Sequence, residues 1–326
     1  MSRAQLTSTV EQSNGGVVAP FLAGKNKIIN GDFGIWQRGA SFSNPSSLAY
    51  TADRWAIYYD GSGATRTISQ QAFTTGAAPV SGYESSFFYR YAVSVAGSGN
   101  TANLLRQYIE NVRNFAGQTA TVSFWAKASA NITVPSVGTT QNFGTGGSPS
   151  AGVDTGFATN IAVTTSWQRF SFTANIPSIS GKTLGTNNDT SLELRFFLPA
   201  GSSTFTFDIW GVQVEAGSVA TPFTTASGTL QGELALAQRY YEVSSGNTIF
   251  SGNVTSGVTY YTTASFKVTK RTSPSVTFTS QGFTGFASGA PTSYQSGNTE
   301  IWCGNAANST TNGGFFQFTY VASAEL

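Results

Sequence analysis

Residues 30–39 read NGDFGIWQRG, and residues 53–55 read DRW. Far downstream the chain returns to a similar mixture of aromatic, acidic and glycine residues: residues 207–217 read FDIWGVQVEAG, and residues 221–223 read TPF. Between these regions lie short runs in which apolar and polar residues alternate, a pattern typical of β-strands. We therefore expect the two regions to be the opening and closing strands of one β-sandwich and to lie side by side.

The composition favours an all-β protein with weakly charged surfaces. The chain has 326 residues, enough for two domains. Charged residues make up only 10 % of it, against roughly 25 % in ordinary soluble domains. Aromatic residues reach 13 %, and there are 36 glycines, which favours strands separated by tight turns.

Charge and reactive residues exclude several classes of function. The net charge is +2 without any basic run, so the sequence does not predict nucleic-acid binding. There are no histidines and one cysteine, Cys303, which excludes Ser-His and Cys-His nucleophiles and an intrachain disulfide. No apolar run could span a bilayer, and the N-terminus shows no secretory signal pattern.

Four segments have the period of two that predicts strands: Thr119–Lys127, Trp167–Ala174, Ser191–Leu198 and Phe205–Glu215. In the third segment the leucines and Phe196 point to one face, and Glu193 and Arg195 point to the other. In the last segment the apolar phase changes across Gly211, which predicts a β-bulge there. Strands with one polar face favour a sandwich of two antiparallel sheets.

Three other segments carry predictions of their own. Residues 138–156 are rich in Gly, Ser and Thr and predict a long surface loop. In residues 102–113, Leu105 and Ile109 are four apart, which would suit a short helix. The clearest helical pattern is in residues 227–243, where the apolar residues Leu230, Leu234, Ala237 and Tyr241 share one face. That helix is either a linker packed on the sandwich or a subunit contact.

These motifs, together with ELALAQRYY at residues 233–241 and YVASAEL at residues 320–326, resemble a family in their order and spacing. The family is that of phage tail-fibre and other virion proteins with a carbohydrate-binding-module-like jelly-roll domain. The resemblance implies an all-β fold in which a jelly-roll β-sandwich is followed by a short helix and a second, smaller β-sandwich. The predicted domains are an N-terminal docking or anchoring arm (1–27), the jelly roll (28–226), the linker helix (227–243) and the C-terminal β-sandwich (244–326).

Aromatic residues are the candidate glycan ligands, because sugar C–H faces stack on Trp and Tyr. The adjacent pair Tyr58 and Tyr59 precedes a glycine-rich turn, and Trp36 belongs to the same aromatic-rich third of the chain. The alternatives are a place in the core, which we expect for Trp55, Trp125, Trp167 and Trp210, or a subunit interface.

The resemblance also implies a possible structural calcium ion with an aspartate of the closing strand among its ligands, which here is Asp208. The family pattern often has a second acid next to it, where this chain has Ile209. No other cofactor is expected. No acid lies in a hydrolase motif, so the sequence predicts binding rather than catalysis.

The resulting prediction is a non-enzymatic structural virion protein of a tailed bacteriophage, most simply a tail-fibre receptor-binding subunit with possible glycan binding. Its expected partners are its own copies, as a homotrimer, other virion proteins through the N-terminal arm, and a host cell-surface glycan. Nucleic acid and membrane insertion are not expected. One alternative is a capsid decoration or head-fibre protein. Another is the non-catalytic glycan-binding module of a secreted enzyme system.

Overall fold

The computed structural model describes residues 24–80, 83–97 and 99–326. Most of the predicted N-terminal arm therefore lies outside the described residues, and its docking role stays a prediction. From Gly24 onward the chain runs beside the closing strand of the first sandwich. The N–H of Lys27 donates to the carbonyl of Val214 (3.1 Å), and the N–H of Val212 donates to the carbonyl of Gly31 (2.9 Å). The opening and closing regions are adjacent, as predicted, but residues 30–39 form turns and irregular chain rather than the predicted opening strand.

Eleven strands form the first sandwich within the part of the chain that the structure describes. They are β1 (Ser41–Ser43), β2 (Trp55–Asp60), β3 (Thr65–Ala72), β4 (Phe87–Val95), β5 (Ala102–Glu110), β6 (Thr119–Ala128), β7 (Ile132–Asn142), β8 (Val153–Val163), β9 (Gln168–Asn175), β10 (Ser191–Leu198) and β11 (Phe205–Ala216). A six-stranded sheet has the order β1-β3-β4-β11-β6-β9, and a five-stranded sheet has the order β2-β5-β10-β7-β8. All pairs are antiparallel, and successive strands alternate between the sheets except in the two hairpins β3–β4 and β7–β8, as in a jelly roll.

The core between these sheets follows the alternation read from the sequence. Leu192, Leu194, Phe196 and Leu198 are buried along β10, as predicted. Phe196 meets Phe124 of the opposite sheet edge to face, with ring centroids 5.0 Å apart. Trp55 has no exposed surface in this core. Burying such side chains typically contributes about 1.5–3 kcal/mol each, so this layer dominates the stability of the first sandwich.

The predicted bulge at Gly211 is confirmed. The register between β11 and β6 shifts between Trp210 and Gln213, and Gly211 has a φ of 66°. A Cβ atom at this position would lie 2.8 Å from the ring of Trp125. Glycine is therefore required both by the backbone conformation and by the closeness of the indole.

Two sequence predictions in the first sandwich are wrong. Residues 102–113, predicted as a short helix, contain β5, a strand paired on both sides, whose neighbours override the weak helical spacing. Residues 138–156, predicted as one long loop, contain the end of β7 and the start of β8. Only residues 143–152 connect these strands. The prediction failed because small polar residues are found in exposed hairpin strands as well as in loops.

The connecting helix α1 is shorter than predicted and spans Leu230–Gln238. Thr229 caps it, because its side chain accepts a hydrogen bond from the N–H of Gly232 (3.0 Å). The predicted apolar face is wrong at both ends. Leu230 is exposed, and Tyr241 lies in a strand, whereas the buried face includes Glu233 and Ala237.

Seven strands form the second, smaller sandwich. They are β12 (Tyr241–Val243), β13 (Thr248–Val254), β14 (Thr259–Ser265), β15 (Ser275–Thr284), β16 (Ser293–Ser296), β17 (Glu300–Ala306) and β18 (Thr311–Ser323). Strand β18 pairs with β12 and β13 on one side and with β15 on the other, and β14, β17 and β16 form a three-stranded sheet in that order. Its core contains Phe316, Phe318 and Cys303. Burial raises the pKa of Cys303 to about 12, so its thiol stays protonated and unreactive.

Candidate functional site

Asn30 of the opening motif connects three parts of the chain. Its side-chain amide donates to the carbonyls of Ile35 (2.9 Å) and Asp53 (3.0 Å), and its amide oxygen accepts from the N–H of Ile35 (2.9 Å). The backbone N–H of Asn30 donates to the carboxylate of Glu233 in helix α1 (2.8 Å). All three side-chain bonds are buried, so Asn30 serves the fold rather than a ligand.

Asp53 of the DRW motif orients the next part of the opening motif. Its carboxylate accepts from the backbone N–H of Gln37 (2.6 Å) and from the side-chain amide of Gln37 (2.7 Å). That amide also donates to the carbonyl of Tyr241 (2.9 Å) in the second sandwich. Burial raises the pKa of Asp53, and the charge of Arg38 at 3.6 Å partly offsets this effect.

We call the contact between the sandwiches the joint and define it by Arg38, Arg54, Tyr240, Tyr241 and Glu325. Glu325 accepts from Arg38 (2.8 Å) and from Arg54, both with little exposed surface. Each guanidinium also covers a tyrosine ring at 3.5 Å, Arg38 that of Tyr241 and Arg54 that of Tyr240. Four of the six sequence motifs, those at residues 30–39, 53–55, 233–241 and 320–326, therefore meet at the joint and hold the two sandwiches together.

A second ion pair lies beside the joint. Arg239 donates two hydrogen bonds to Glu110 of β5, at 3.0 and 2.8 Å, and the hydroxyl of Tyr240 donates to the same carboxylate at 2.5 Å. Burial alone would raise the pKa of Glu110, but these bonds outweigh it and lower the pKa. The carboxylate therefore stays ionised and paired at neutral pH.

The three aromatic residues predicted to bind glycan do not form one site. Trp36 packs on Tyr89 of the core (5.5 Å between ring centroids), and its indole N–H donates to the carbonyl of Phe33 (2.8 Å). Tyr59 packs against the core under the guanidinium of Arg66. Tyr58 is the next residue along β2 and so points to the opposite, outer face of the five-stranded sheet.

Tyr58 belongs to what we call the aromatic–arginine face, the outer surface of the five-stranded sheet defined by Tyr58, Arg106, Tyr108, Arg195 and Phe197. The guanidinium of Arg106 lies between two rings, 5.5 Å from Tyr58 and 5.1 Å from Tyr108. Arg195, directly opposite Arg106 on β10, lies 5.2 Å from the ring of Phe197. All five side chains are partly exposed, so rings and guanidinium groups are both open to a ligand.

Acidic residues neutralise the two arginines of this face. Glu193 accepts from Arg106 at 3.0 Å, and Asp154 accepts from Arg195 at 2.8 Å. Next to Arg195 the neighbouring strands carry Gly138 and Gly156 in register, so no side chain rises from the sheet there. The face thus combines flat rings, hydrogen-bonding groups of both kinds and a shallow trough.

Tyr108 adds a hydroxyl to this face. Burial, and then the charge of Glu193, raise the pKa of Tyr108, so the hydroxyl is protonated and can donate a hydrogen bond. Sequence reasoning placed Glu193 and Arg195 on the polar side of their strand correctly. It missed Arg106 and Tyr108 because residues 102–113 were assigned to a helix, although the alternation of Leu105 and Ile109 with these polar residues also has the period of a strand.

The residues around Asp208 do not fit a calcium site. Both of its carboxylate oxygens accept from Arg90, at 2.7 and 2.8 Å, and Lys127 lies 3.9 Å away. These hydrogen bonds raise the pKa of Arg90, so a guanidinium holds the position that a cation would need. Within residues 24–80, 83–97 and 99–326, no group of three or more acidic or cysteine side chains could hold a metal ion.

The predicted core tryptophans divide into two clusters. Trp55 lies between the sheets, whereas Trp125 and Trp210 pack together on the outer side of the six-stranded sheet, with Trp167 partly buried against them. A cleft of about 410 Å³ lies near this second cluster, lined among others by Asp32, Tyr83 and Glu84. Burial raises the pKa of Asp32, to which the hydroxyl of Tyr83 donates at 3.3 Å.

No family model matches the chain, and no curated protein matches it. Solved structures with a similar arrangement include a family 4 carbohydrate-binding module (18 % identity, 58 % of this chain and 98 % of that chain, TM-score 0.34). Another is a putative sugar-binding protein from Bacteroides thetaiotaomicron (13 % identity, 59 % and 100 %, TM-score 0.35). A third is the enzymatically active domain of tailspike protein 4 from bacteriophage CBA120 (15 % identity, 59 % of this chain, TM-score 0.34). This chain spans only 22 % of that tailspike chain.

These likenesses transfer neither a ligand nor an activity to this chain. The strand order and the burial of side chains show the fold directly: a jelly-roll β-sandwich followed by a short helix and a smaller β-sandwich. Among the described helices there is none with the length and apolar character that a bilayer crossing requires.

Proposed function

We propose that this chain is a non-enzymatic, glycan-binding structural protein of a phage virion, and that its first sandwich binds the glycan. The observation that carries the binding proposal is the aromatic–arginine face. Pyranose rings have apolar C–H faces that stack on Tyr58, Tyr108 or Phe197, and hydroxyl groups that accept from Arg106 and Arg195. Glu193 and Asp154 accept hydrogen bonds from such hydroxyls.

The virion assignment is supported by the sequence resemblance, and within it we favour a tail-fibre receptor-binding subunit that assembles as a homotrimer. A capsid decoration or head-fibre protein with the same two sandwiches is the alternative. The joint supports either role, because it holds the two sandwiches together through buried ion pairs rather than through a flexible linker.

The binding proposal is tested on an array of bacterial surface glycans with the purified chain. We expect at least one glycan to bind. Its signal should fall at least about tenfold in a Tyr58→Ala/Phe197→Ala variant, because the sugar loses the aromatic rings on which it stacks. The matched control is Val219→Ala, which removes an exposed apolar side chain elsewhere on the first sandwich. Equal binding by the wild type and the double variant would overturn the assignment to this face.

Catalysis is tested on the same glycans by following reducing ends over time. We expect binding without cleavage. If products appear, the cleft with Asp32 and Glu84 is the place to examine, because glycoside hydrolysis requires two carboxyl groups. Loss of product formation in Asp32→Asn would then replace a binding function with an enzymatic one.

The virion role is tested by immunogold labelling of purified phage particles with antibody against the recombinant chain. Label at the tail supports a receptor-binding subunit, whereas label over the head supports decoration. Absence of label from all particles would overturn both and favour a secreted glycan-binding module. Light scattering tests the trimer, for which we expect three times the chain mass of 34.2 kDa.

A further inference from the structure

The second sandwich exposes two large aromatic side chains on one sheet face. Tyr261 of β14 is 64 % exposed, and Trp302 of β17 is 56 % exposed. Both lie on the outer side of the three-stranded sheet, since the alternate residues Ile301 and Cys303 are buried in the core. We call this outer side the platform and define it by Tyr261, Thr263, Gln295, Glu300 and Trp302.

The strand register places the two rings as diagonal neighbours. Tyr261 lies opposite Gly304, two residues from Trp302, and glycine adds no side chain between them. The row that contains Trp302 has Thr263 on one side and Gln295 on the other, both exposed. The indole is therefore flanked by a hydroxyl and an amide on adjacent strands.

The two rings have no close aromatic partner among the described residues. The close ring pairs of the second sandwich involve inner or edge residues, such as Phe250 with Phe316 and Phe278 with Tyr294. The indole N–H of Trp302 is satisfied, because it donates to the carboxylate of Glu300 at 3.0 Å. The ring is therefore held by one polar contact, while its faces are open to solvent.

The charge of the platform narrows the class of ligand. Strands β14, β16 and β17 contain one charged residue in total, Glu300. A single negative charge disfavours nucleic acid and acidic polysaccharides. The remaining groups are hydroxyls, an amide and ring faces, which complement a neutral ligand with apolar C–H faces and many hydroxyls.

We propose that the platform is a second binding site, which takes a neutral saccharide stacked on Trp302 and Tyr261. This site is separate from the aromatic–arginine face and does not depend on it. A second copy of the chain is the competing occupant, and it fits less well. A stable interface usually buries at least about 1,000 Å², whereas here two isolated rings stand among small polar side chains.

The test uses cellohexaose, mannohexaose and maltohexaose as neutral probes and polygalacturonate as the acidic control. Binding is followed by tryptophan fluorescence and by saturation-transfer NMR up to about 10 mM, tenfold above a Kd of about 1 mM. We expect at least one neutral probe to bind. Its Kd should rise at least about tenfold in Trp302→Ala, should rise less in Tyr261→Ala, and should be largely restored in Trp302→Phe. The matched control is Phe283→Ala, since Phe283 is similarly exposed on a different strand.

Measurement in the Tyr58→Ala/Phe197→Ala background separates the two sites. Binding that persists there and disappears when Trp302→Ala is added supports the platform, whatever happens at the first face. Binding that is unaffected by Trp302→Ala, or absent for every neutral probe, overturns the platform proposal. Loss of self-association in Trp302→Ala without any saccharide binding would identify a second copy as the occupant instead.

Discussion

The two sandwiches differ in where their most exposed aromatic residues lie. In the first, Trp55 and Trp210 have no exposed surface, and large rings fill both the core and a cluster on the outer side of the six-stranded sheet. Of the ten exposed large apolar side chains in the described chain, six lie between Ile249 and Trp302, and these include every exposed aromatic among the ten. The smaller sheets of the second sandwich enclose less volume. Because its core is complete without Trp302 and Tyr261, these rings are available for binding.

The largest expected difference in stability is between removing a buried ring and removing an exposed one. Trp55→Ala should lower the free energy of unfolding by about 3–5 kcal/mol, because it opens a cavity in the first core. Trp302→Ala should change it by less than about 0.5 kcal/mol. Urea unfolding followed by circular dichroism measures both. A large loss of unfolding free energy in Trp302→Ala would mean that this ring stabilises the second sandwich. The contrast between buried rings in the first sandwich and free rings in the second would then be wrong.

The second-largest loss of stability is expected at the joint, because its ion pairs connect the two sandwiches. Glu325→Gln leaves Arg54 buried without its full counter-charge, which we expect to cost about 3 kcal/mol. The loss should appear as a separation of the unfolding transitions of the two sandwiches in calorimetry. Arg195→Gln, which removes a partly exposed ion pair, serves as the control and should leave one transition. A single unchanged transition in Glu325→Gln would contradict a coupling role for the joint.

The bulge in β11 should have a smaller effect confined to the first sandwich. Gly211→Ala forces a side chain into a left-handed backbone conformation and against the ring of Trp125, at a cost of roughly 1–3 kcal/mol. Gly156→Ala is the control, because the space around it is open and its φ is not positive. The midpoints of urea unfolding compare the stabilities of the two variants. Equal stability of the two variants would show that the bulge adapts.

The smallest expected effect is a dependence on pH at the contact of Glu110 with Arg239. The folded pKa of Glu110 is lowered, so its contribution to stability is present above its ordinary value of 4.5 and is lost as the pH falls below it. Glu110→Gln should flatten this part of the profile and leave the region near pH 7 slightly less stable. Unfolding midpoints between pH 3 and pH 7 are the measurement, and identical profiles would remove Glu110 from the contact.

The alternation of apolar and polar residues with a period of two predicted most of the correctly placed strands. It placed Leu192, Leu194 and Phe196 in the core and Gly211 at a bulge, because a strand with one buried face has little freedom of register. It failed for residues 102–113, because the spacing of four between Leu105 and Ile109 suits a helix as well as a strand. It also failed for Tyr241, since a strand of three residues is too short to show a period.

The candidate sites were harder to predict because they depend on pairing between distant strands. Tyr58 was a candidate from the sequence, and its neighbours Arg106 and Phe197 come together with it only through the order of the five-stranded sheet. Within the resemblance motifs, Asp53 pairs with Arg38 and Arg54 pairs with Glu325, so these residues satisfy buried charges. Trp302 looked like any other tryptophan in the sequence. Its exposure depends on which side of a three-stranded sheet it occupies.

The joint also determines how the molecule carries mechanical load. Strand β18 is paired on both sides within the second sandwich, and Glu325, two residues beyond its end, contacts Arg38 and Arg54. A pull applied to β18 would therefore pass along this strand and through Glu325 into the first sandwich, and not through the nine residues of helix α1 alone. The ion pairs at the joint and helix α1 would then share the force, so the two sandwiches would resist tension together.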